Sequence, residues 1–286
     1  MKERALKKKL KTPISELTLY SKYASSNING EIFQGDALAF LNNMQDDVAS
    51  IIFLDPPFNI GKDYGNGKQF DLKPPDQYLS WLLSLIKESK RVLKPGGAFY
   101  VYHLPSVATQ LTGFLNELFQ FRHWIAVSMK NTFVRGNWLY PAHYALLYYT
   151  KGSPTHFHRP KLTAQKCRHC NSYIKDYGGY RAIIEKQGIN LSDIWDDISP
   201  VRHNKRKSRG PNELPLKLLE RIIYISGVPD ELYVDPFAGG GNGVLAALKA
   251  GMKFSACDIE EEYCRVVTER TEEVYREIGE VKNARG

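Results

Sequence analysis

The sequence predicts an α/β protein: a mostly parallel sheet with helices on both faces, plus an inserted loop-rich region. Three observations lead there. Short apolar, β-branched runs at residues 48–54, 98–102, 231–234 and 253–257 have the composition of strands buried on both sides. Stretches of helical period separate them, at 78–92, 214–226 and 243–250, and such alternation implies crossover connections and a two-sided sheet. Between about Lys151 and Gly210 the apolar period weakens and histidine, glycine, tyrosine and basic residues dominate, so this stretch reads as an insert.

Each element has its own local cause. Residues 1–25 form a basic N-terminal extension, with Lys2, Arg4, Lys7, Lys8, Lys9 and Lys11 reading as a solvated tail. The run Val48 to Leu54 stops at Asp55-Pro56-Pro57-Phe58, because proline cannot extend a central strand. A loop rich in turn residues follows at 59–75. In the next helix Tyr78, Trp81, Leu82, Leu85, Ile86 and Val92 share one face. Lys94-Pro95-Gly96-Gly97 ends it before the strand at 98–102. After the insert, the strand at 231–234 enters Asp235-Pro236-Phe237-Ala238-Gly239-Gly240-Gly241-Asn242-Gly243, and the strand at 253–257 ends at Asp258. The expected divisions are 1–25, a first half of the sheet domain at 26–150, the insert at 151–210 and a second half at 211–286.

Composition narrows the function. With 43% hydrophobic and 24% charged residues, wholesale disorder is excluded. No run of 18 apolar residues exists to span a membrane, and no apolar stretch follows the basic start as a secretory signal requires. Four cysteines do not make a disulfide framework in a chain of 286 residues, so a reducing, cytoplasmic setting is expected. The net charge of +8 favours an anionic partner, nucleic acid first.

Two motifs carry chemistry. The glycine-rich turn lies between a strand and a helix, where open α/β sheets bind nucleotide-like ligands. Its glycines let backbone approach the ligand. Asp258, nineteen residues after Gly239, is placed to accept from a ribose diol. The dinucleotide pattern G-x-G-x-x-G is a rival; Gly239 and Gly241 fit it, but its third glycine falls on Val244. A merely tight turn is the bland alternative. The second motif, Asp55 to Phe58, sits at the carboxyl end of a buried strand. An exocyclic amino group on a nucleobase is a poor nucleophile because its lone pair is delocalised into the ring. The Asp55 carboxylate and the Pro56 carbonyl, both accepting its hydrogens, localise that pair on nitrogen. The two prolines stiffen the loop and remove donors, and Phe58 offers a ring for the base to stack on. A strand cap with a rigid turn is the alternative here.

With both motifs in this order, the chain resembles the S-adenosylmethionine-dependent DNA amino-methyltransferases of the circularly permuted β class, which act on N6 of adenine or N4 of cytosine. The resemblance implies a permuted, Rossmann-like methyltransferase fold. Gly35-Asp36-Ala37-Leu38 resembles the family's early acidic motif, implying that Asp36 faces the cofactor's adenine. Asp55, Pro56, Pro57 and Phe58 match the catalytic tetrapeptide, and Leu93 to Gly97 the sheet motif after it. Pro215 to Ile222 resembles the helix packed over the methionine part of the cofactor. Asp235, Phe237, Gly239 and Gly241 fall in the cofactor loop, and Asp258 is the ribose-binding acid. The chain departs at Phe58, where tyrosine is commoner, at Leu214, where lysine is usual, and in the cofactor loop, which reads Gly-Gly-Gly-Asn-Gly at 239–243 where the family usually has Gly-Ser-Gly-Thr, so that a side-chain hydroxyl is lost there.

Carbon-5 methylation of cytosine uses a Pro-Cys dipeptide, and none exists here: the cysteines follow Lys166, His169, Ala256 and Tyr263. In the family, aspartate at the first catalytic position leans to adenine, so Asp55 favours N6-adenine, with N4-cytosine as the alternative. The insert falls where the family keeps target recognition. Arg202, Lys205, Arg206, Lys207 and Arg209 form a cluster suited to phosphate, Tyr173, Tyr177, Tyr180 and Trp195 are candidates for stacking or wedging, and the acidic, aromatic stretch Ser192 to Ile198 is also a candidate for packing the insert onto the sheet. Cys167 and Cys170 form half a zinc site that His156 and His158 would complete; the default expectation is a knuckle-like turn with free thiols and no metal. The implied partners are double-stranded DNA, with a cognate restriction endonuclease and a homodimer as further candidates, and no membrane. Methylation of RNA or of a protein amide, an NAD-dependent oxidoreductase and a non-catalytic DNA-binding module are the other readings.

Overall fold

The computed structural model describes residues 17–24, 29–61, 72–128, 136–137, 139, 141–167, 169–173, 175, 177–198 and 213–283. In chain order the elements are β1 Thr18–Ala24, β2 Asn29–Gln34, α1 Ala37–Asn42, β3 Ala49–Leu54, α2 Pro75–Val92, β4 Leu93–His103, α3 Pro105–Leu118, β5 Gln120–Ser128 and β6 His143–Thr150. The short elements β7 Lys161–Leu162, α4 Arg181–Gln187, β8 Ile189–Asn190 and β9 Ile194–Trp195 follow. The chain then returns through α5 Leu216–Ser226, β10 Leu232–Asp235, α6 Asn242–Lys249, β11 Lys253–Asp258 and α7 Glu261–Asn283.

Among the described residues the main sheet runs β1-β2-β11-β10-β3-β4-β6-β5-β9. Its centre, β2-β11-β10-β3-β4, is wholly parallel. β6 and β5 join antiparallel, β9 pairs parallel with β5, and β1 closes the far edge antiparallel to β2. β10 and β11, late in the chain, lie between β2 and β3, early in it; this is the permuted order expected.

Period-two alternation divides the strands between two cores. Ile51, Phe53, Tyr100 and Tyr102 face α5, α6 and α7. Ile52, Leu54, Phe99 and Val101 face α1, α2 and α3. Both faces of the parallel strands are thereby covered, which is why β3 reads as a continuous apolar run with every residue buried.

Three features differ from expectation. β1 lies in the stretch read as an extension; its half-exposed residues carry no clear alternation because it is an edge strand. The helix before β4 does not stop at a glycine cap. Strand geometry starts at Leu93, and residues 93–97 bulge, so that Ala49 pairs with Leu93 but Ile51 with Ala98. Gly96, at φ +76°, is required there because a Cβ would strike Thr155. Finally, Trp195 is not available for wedging into nucleic acid. It is 1% exposed, in the core, at the sheet's β9 edge. The buried Arg221 guanidinium lies 4.9 Å over its ring and forms a two-pronged bond to Asp197 (2.8 and 2.5 Å). Among the described residues no helix is long and apolar enough to cross a membrane.

Candidate active site at the carboxyl edge of the sheet

The five parallel strands deliver polar residues to one edge, in spatial order. Asp36 follows β2, Asp258 ends β11, Asp235 ends β10, Asp55 follows β3 and His103 ends β4. Ligands of open α/β sheets bind outside this edge. The structure therefore brings the glycine turn and the Asp55 loop side by side, although 180 residues separate Asp55 from Asp235.

The turn after β10 is built from buried bonds. The Asp235 carboxylate accepts from the Phe237 N–H (3.1 Å) and the Tyr233 hydroxyl (3.0 Å). Gly239 and Gly241 have φ of +50° and +80°, a region costly for other residues. Gly243 lies so close to the Tyr233 hydroxyl and Asp235 Oδ2 that an added Cβ would meet both. Asp258 accepts from the Gly239 N–H (2.8 Å) and the Glu260 N–H (3.0 Å). Asp36 caps α1 through the N–H groups of Leu38 (2.9 Å) and Ala39 (3.1 Å). Phe237 packs edge-on to Trp81.

Pro215 is the N-cap of α5, and Asn242 ties that helix to the turn. Its amide donates to the Leu214 carbonyl (2.7 Å) and Glu213 (3.1 Å), while Arg270 donates to its oxygen (2.8 Å) and to the Gly240 carbonyl. Asn242 thus has a structural task of its own, joining the two segments expected to enclose the cofactor.

Around Asp55 the structure adds residues that the sequence did not single out for chemistry. Asp55 is half-buried and Pro56 buried. Phe58 is only 7% exposed, packed against His103 (4.8 Å between ring centres), Tyr144 (5.8 Å) and Tyr102 (6.3 Å). Its flat face is therefore largely covered in this state. Burial, then the Asp55 charge, push the phenol of Tyr102 well above its ordinary value and raise that of Tyr144. Both rings therefore lie within the field of Asp55. Tyr78 donates to the Pro57 carbonyl (2.5 Å) and contacts His103 Nε2 (2.7 Å). Burial lowers His103 to about 4, so it is neutral at pH 7. Tyr78 was legible only as one apolar position of α2, and His103 lies one residue past the strand read at 98–102. No local pattern marks residues 25 apart as partners.

The insert's candidates are dispersed. Arg202, Lys205, Arg206, Lys207 and Arg209, like the basic tail at 1–16, lie outside the described residues. Cys167 to Tyr173 forms a knuckle: Asn171 N–H donates to the Cys167 carbonyl, Cys167 N–H to the Ser172 carbonyl, and Lys166 bridges Tyr173. Cys170 is exposed, and hydrogen bonds from Ser172 lower its thiol. His156 and His158 pair with each other (3.1 Å) beside Tyr224. Among the described residues no three potential ligands gather, so Cys167, Cys170, His156 and His158 do not form the four-ligand site. Tyr173 lies between the cations of Lys166 and Arg181, and Tyr180 is exposed. Cys257 and Cys264 are buried, their thiols pushed up by burial, Cys264 to about 12.

Comparison with known proteins agrees with this geometry. The family model described as DNA methylase, of the N6/N4 methyltransferases, matches residues 49–269. The Type II methyltransferase M.BamHI of Bacillus amyloliquefaciens is 41% identical over 242 residues, covering 84% of this chain and 56% of its own. This chain thus spans little more than half of that relative. The DNA adenine methyltransferase YhdJ of Escherichia coli (strain K12) is 28% identical, covering 82% of this chain and 80% of its own. Among solved structures, the cytosine-N4-specific PvuII DNA methyltransferase superposes with a TM-score of 0.60 at 19% identity, covering 88% of this chain and 89% of its own. The fold, the permuted strand order and the match over most of the chain place it in the DNA methylase family.

Proposed function

We propose that this chain methylates DNA on the exocyclic N6 of adenine, taking the methyl group from S-adenosylmethionine. The observation that carries this reading is the juxtaposition of the Asp55 loop and the glycine turn at the ends of neighbouring strands β3 and β10.

The residues present fit the cofactor. Gly239 to Gly241 offer backbone without side chains, Gly243 lets the turn pack directly on Tyr233 and Asp235, and the Asp258 carboxylate stands at the end of β11 beside the Gly239 N–H. Asp258 would hold the ribose, Asp36 and Phe237 would flank the adenine, and Asp235, Gly239, Gly241 and Pro215 would enclose the rest. When bound, S-adenosylmethionine supplies an electrophilic sulfonium methyl, already a strong donor. The protein's contribution is then orientation. Asp55 and the Pro56 carbonyl accept the two amino hydrogens of a base flipped from the duplex, holding the nitrogen lone pair out of conjugation. Tyr102, Tyr144 and Phe58 wall this position and exclude water. With water excluded, the Asp55 charge acts at greater strength. We assign phosphate contact to Arg202, Lys205, Arg206, Lys207 and Arg209, and target recognition to the insert at 151–210. On this reading a sequence-matched endonuclease accompanies the enzyme, and its cleavage is blocked at the methylated site.

The test is nucleoside mass spectrometry after incubation with unmethylated bacterial DNA and isotopically labelled S-adenosylmethionine. Labelled N6-methyladenine is expected. Labelled N4-methylcytosine would keep the mechanism and overturn the base assignment resting on Asp55. No labelled base would overturn the proposal for this chain.

A further inference from the structure

We propose that His103 and Tyr78 form a fixed hydrogen-bond relay that positions the Asp55–Phe58 loop for methyl transfer, an inference that rests on the function proposed above. Proline rings fix φ at Pro56 and Pro57. Asp55 and Pro56 each precede a proline, which confines their ψ to the extended region. Between the Cα atoms of Asp55 and Phe58 the remaining soft torsion is ψ of Pro57. That torsion aims the Pro57 carbonyl, the group to which Tyr78 donates at 2.5 Å. The sequence therefore restrains the first two steps of the loop, and Tyr78 restrains the third.

His103 makes Tyr78 directional. The Leu104 N–H donates to His103 Nδ1 at 2.8 Å, so Nδ1 carries a lone pair. A neutral ring then bears its proton on Nε2, 2.7 Å from the Tyr78 oxygen. Nε2–H donates to that oxygen, and the phenol's one proton is left to donate to Pro57. Each bond fixes the sense of the next. The His103 ring also packs on Phe58, at 4.8 Å, so one side chain steadies both the carbonyl and the ring that end the loop. The relay ends on an amide carbonyl, which is not a base, so His103 and Tyr78 are positioning residues and carry no proton away from substrate. It also engages the Pro57 carbonyl, which leaves the acceptor role toward the base to Pro56 and Asp55.

Three variants and one spectrum test this. Tyr78→Phe removes the bond to Pro57 and is expected to lower kcat about 10²-fold, the order of loss caused by small misplacement of reacting groups. KM for cofactor and Kd for DNA should stay within about twofold, since no ground-state contact is removed. His103→Asn keeps an acceptor near Leu104 but falls short of Tyr78; His103→Gln reaches Tyr78 with an amide donor. Gln is expected to recover at least about tenfold in kcat over Asn. A role in packing or in holding Leu104 alone predicts the reverse order, or no difference, and either result overturns the relay, as does an unchanged kcat in Tyr78→Phe. Nitrogen NMR of labelled wild-type protein should show His103 as the Nε2–H tautomer, and an Nδ1–H tautomer overturns it. The spectrum needs no activity. A wild-type protein that methylates no DNA but shows the expected tautomer would defeat the proposed function and leave the relay standing.

Discussion

The carboxyl edge of the sheet and the insert solve opposite problems. At the edge, Asp235 and Asp258 are buried, each accepts hydrogen bonds at both oxygens from β10, the glycine turn or the residues after β11, and a Cβ at Gly243 would collide with Tyr233 and Asp235. In the insert, β7 and β8 are two residues each, α4 has no buried residue, and the knuckle of Cys167 to Tyr173 is held by local bonds. The insert reaches the core mainly near its end, through Trp195 and the Asp197–Arg221 pair. Groups that must be placed to fractions of an ångström belong on rigid elements, whereas a surface that meets a varied partner tolerates looser support. The contrast is open to experiment from both sides.

The largest effect is expected at the edge. Asp55→Ala removes the carboxylate proposed to orient the amino group and should slow methyl transfer by about 10²–10³-fold. DNA affinity should hardly move, because phosphate contacts dominate it. Single-turnover methylation and a binding isotherm, run on the same preparation, separate the two. Equal rates in wild type and variant would show that the edge is not where the chemistry occurs.

The next effect tests the insert's anchor. Asp197→Ala strands Arg221, whose side chain is 7% exposed, without its carboxylate. Breaking such a pair from one side costs about 3 kcal/mol. The Arg221 hydrogen bonds hold the Asp197 carboxyl well below its ordinary range. Its folded value is depressed, so the pair's stabilisation is complete above the ordinary aspartate value near 4 and is lost as pH falls below it. Denaturant unfolding at neutral pH should show the loss, and hydrogen exchange should show it concentrated at β5 and β9. Uniform loss across the sheet would mean that the anchor is part of the core and the contrast between regions is weaker than drawn.

These two predictions also mark what the sequence made legible. β3, β10, β11 and the glycine turn follow from periods and residue types within a dozen positions, so a one-dimensional reading reaches them. Asp55 and Asp235 come together because strand order follows from motif order. Tyr78 with His103, and Asn242 with Glu213 and Arg270, are pairings of side chains on separate elements, and no local period encodes them. Trp195 misleads for the same reason. An aromatic residue in a loop-rich insert suits a wedge, the acidic, aromatic stretch Ser192 to Ile198 equally suits packing onto the sheet, and the β9 pairing with β5 decides for the core.

His103 gives a smaller effect with a definite sign. Burial lowers it from 6.5 to about 4, so between these values the unfolded chain binds the proton and the native state does not. Stability contributed by the neutral ring therefore falls as pH drops through that window, by about 1.5 kcal/mol from pH 6.5 to pH 5. Asp197 contributes little there, because its titration lies lower. Urea titrations of wild type and His103→Gln at the two pH values isolate the difference. The variant should lack that slope, and identical slopes would mean that water reaches the ring.

The smallest effect belongs to the knuckle. Replacing Cys167 and Cys170 by serine removes two thiols, one exposed and one half-exposed, while the backbone bonds Asn171 to Cys167 and Cys167 to Ser172 are untouched. Exposed substitutions of this kind change stability by about 0.5 kcal/mol or less. A zinc chelator should likewise leave the melting temperature unchanged, since among the described residues no group of three potential ligands is arranged to hold a metal. A chelator-induced drop of several degrees, abolished in the double serine variant, would show that the insert acquires its rigidity from a metal. The difference between the two regions would then lie in the source of order, a bound ion in one and buried backbone in the other.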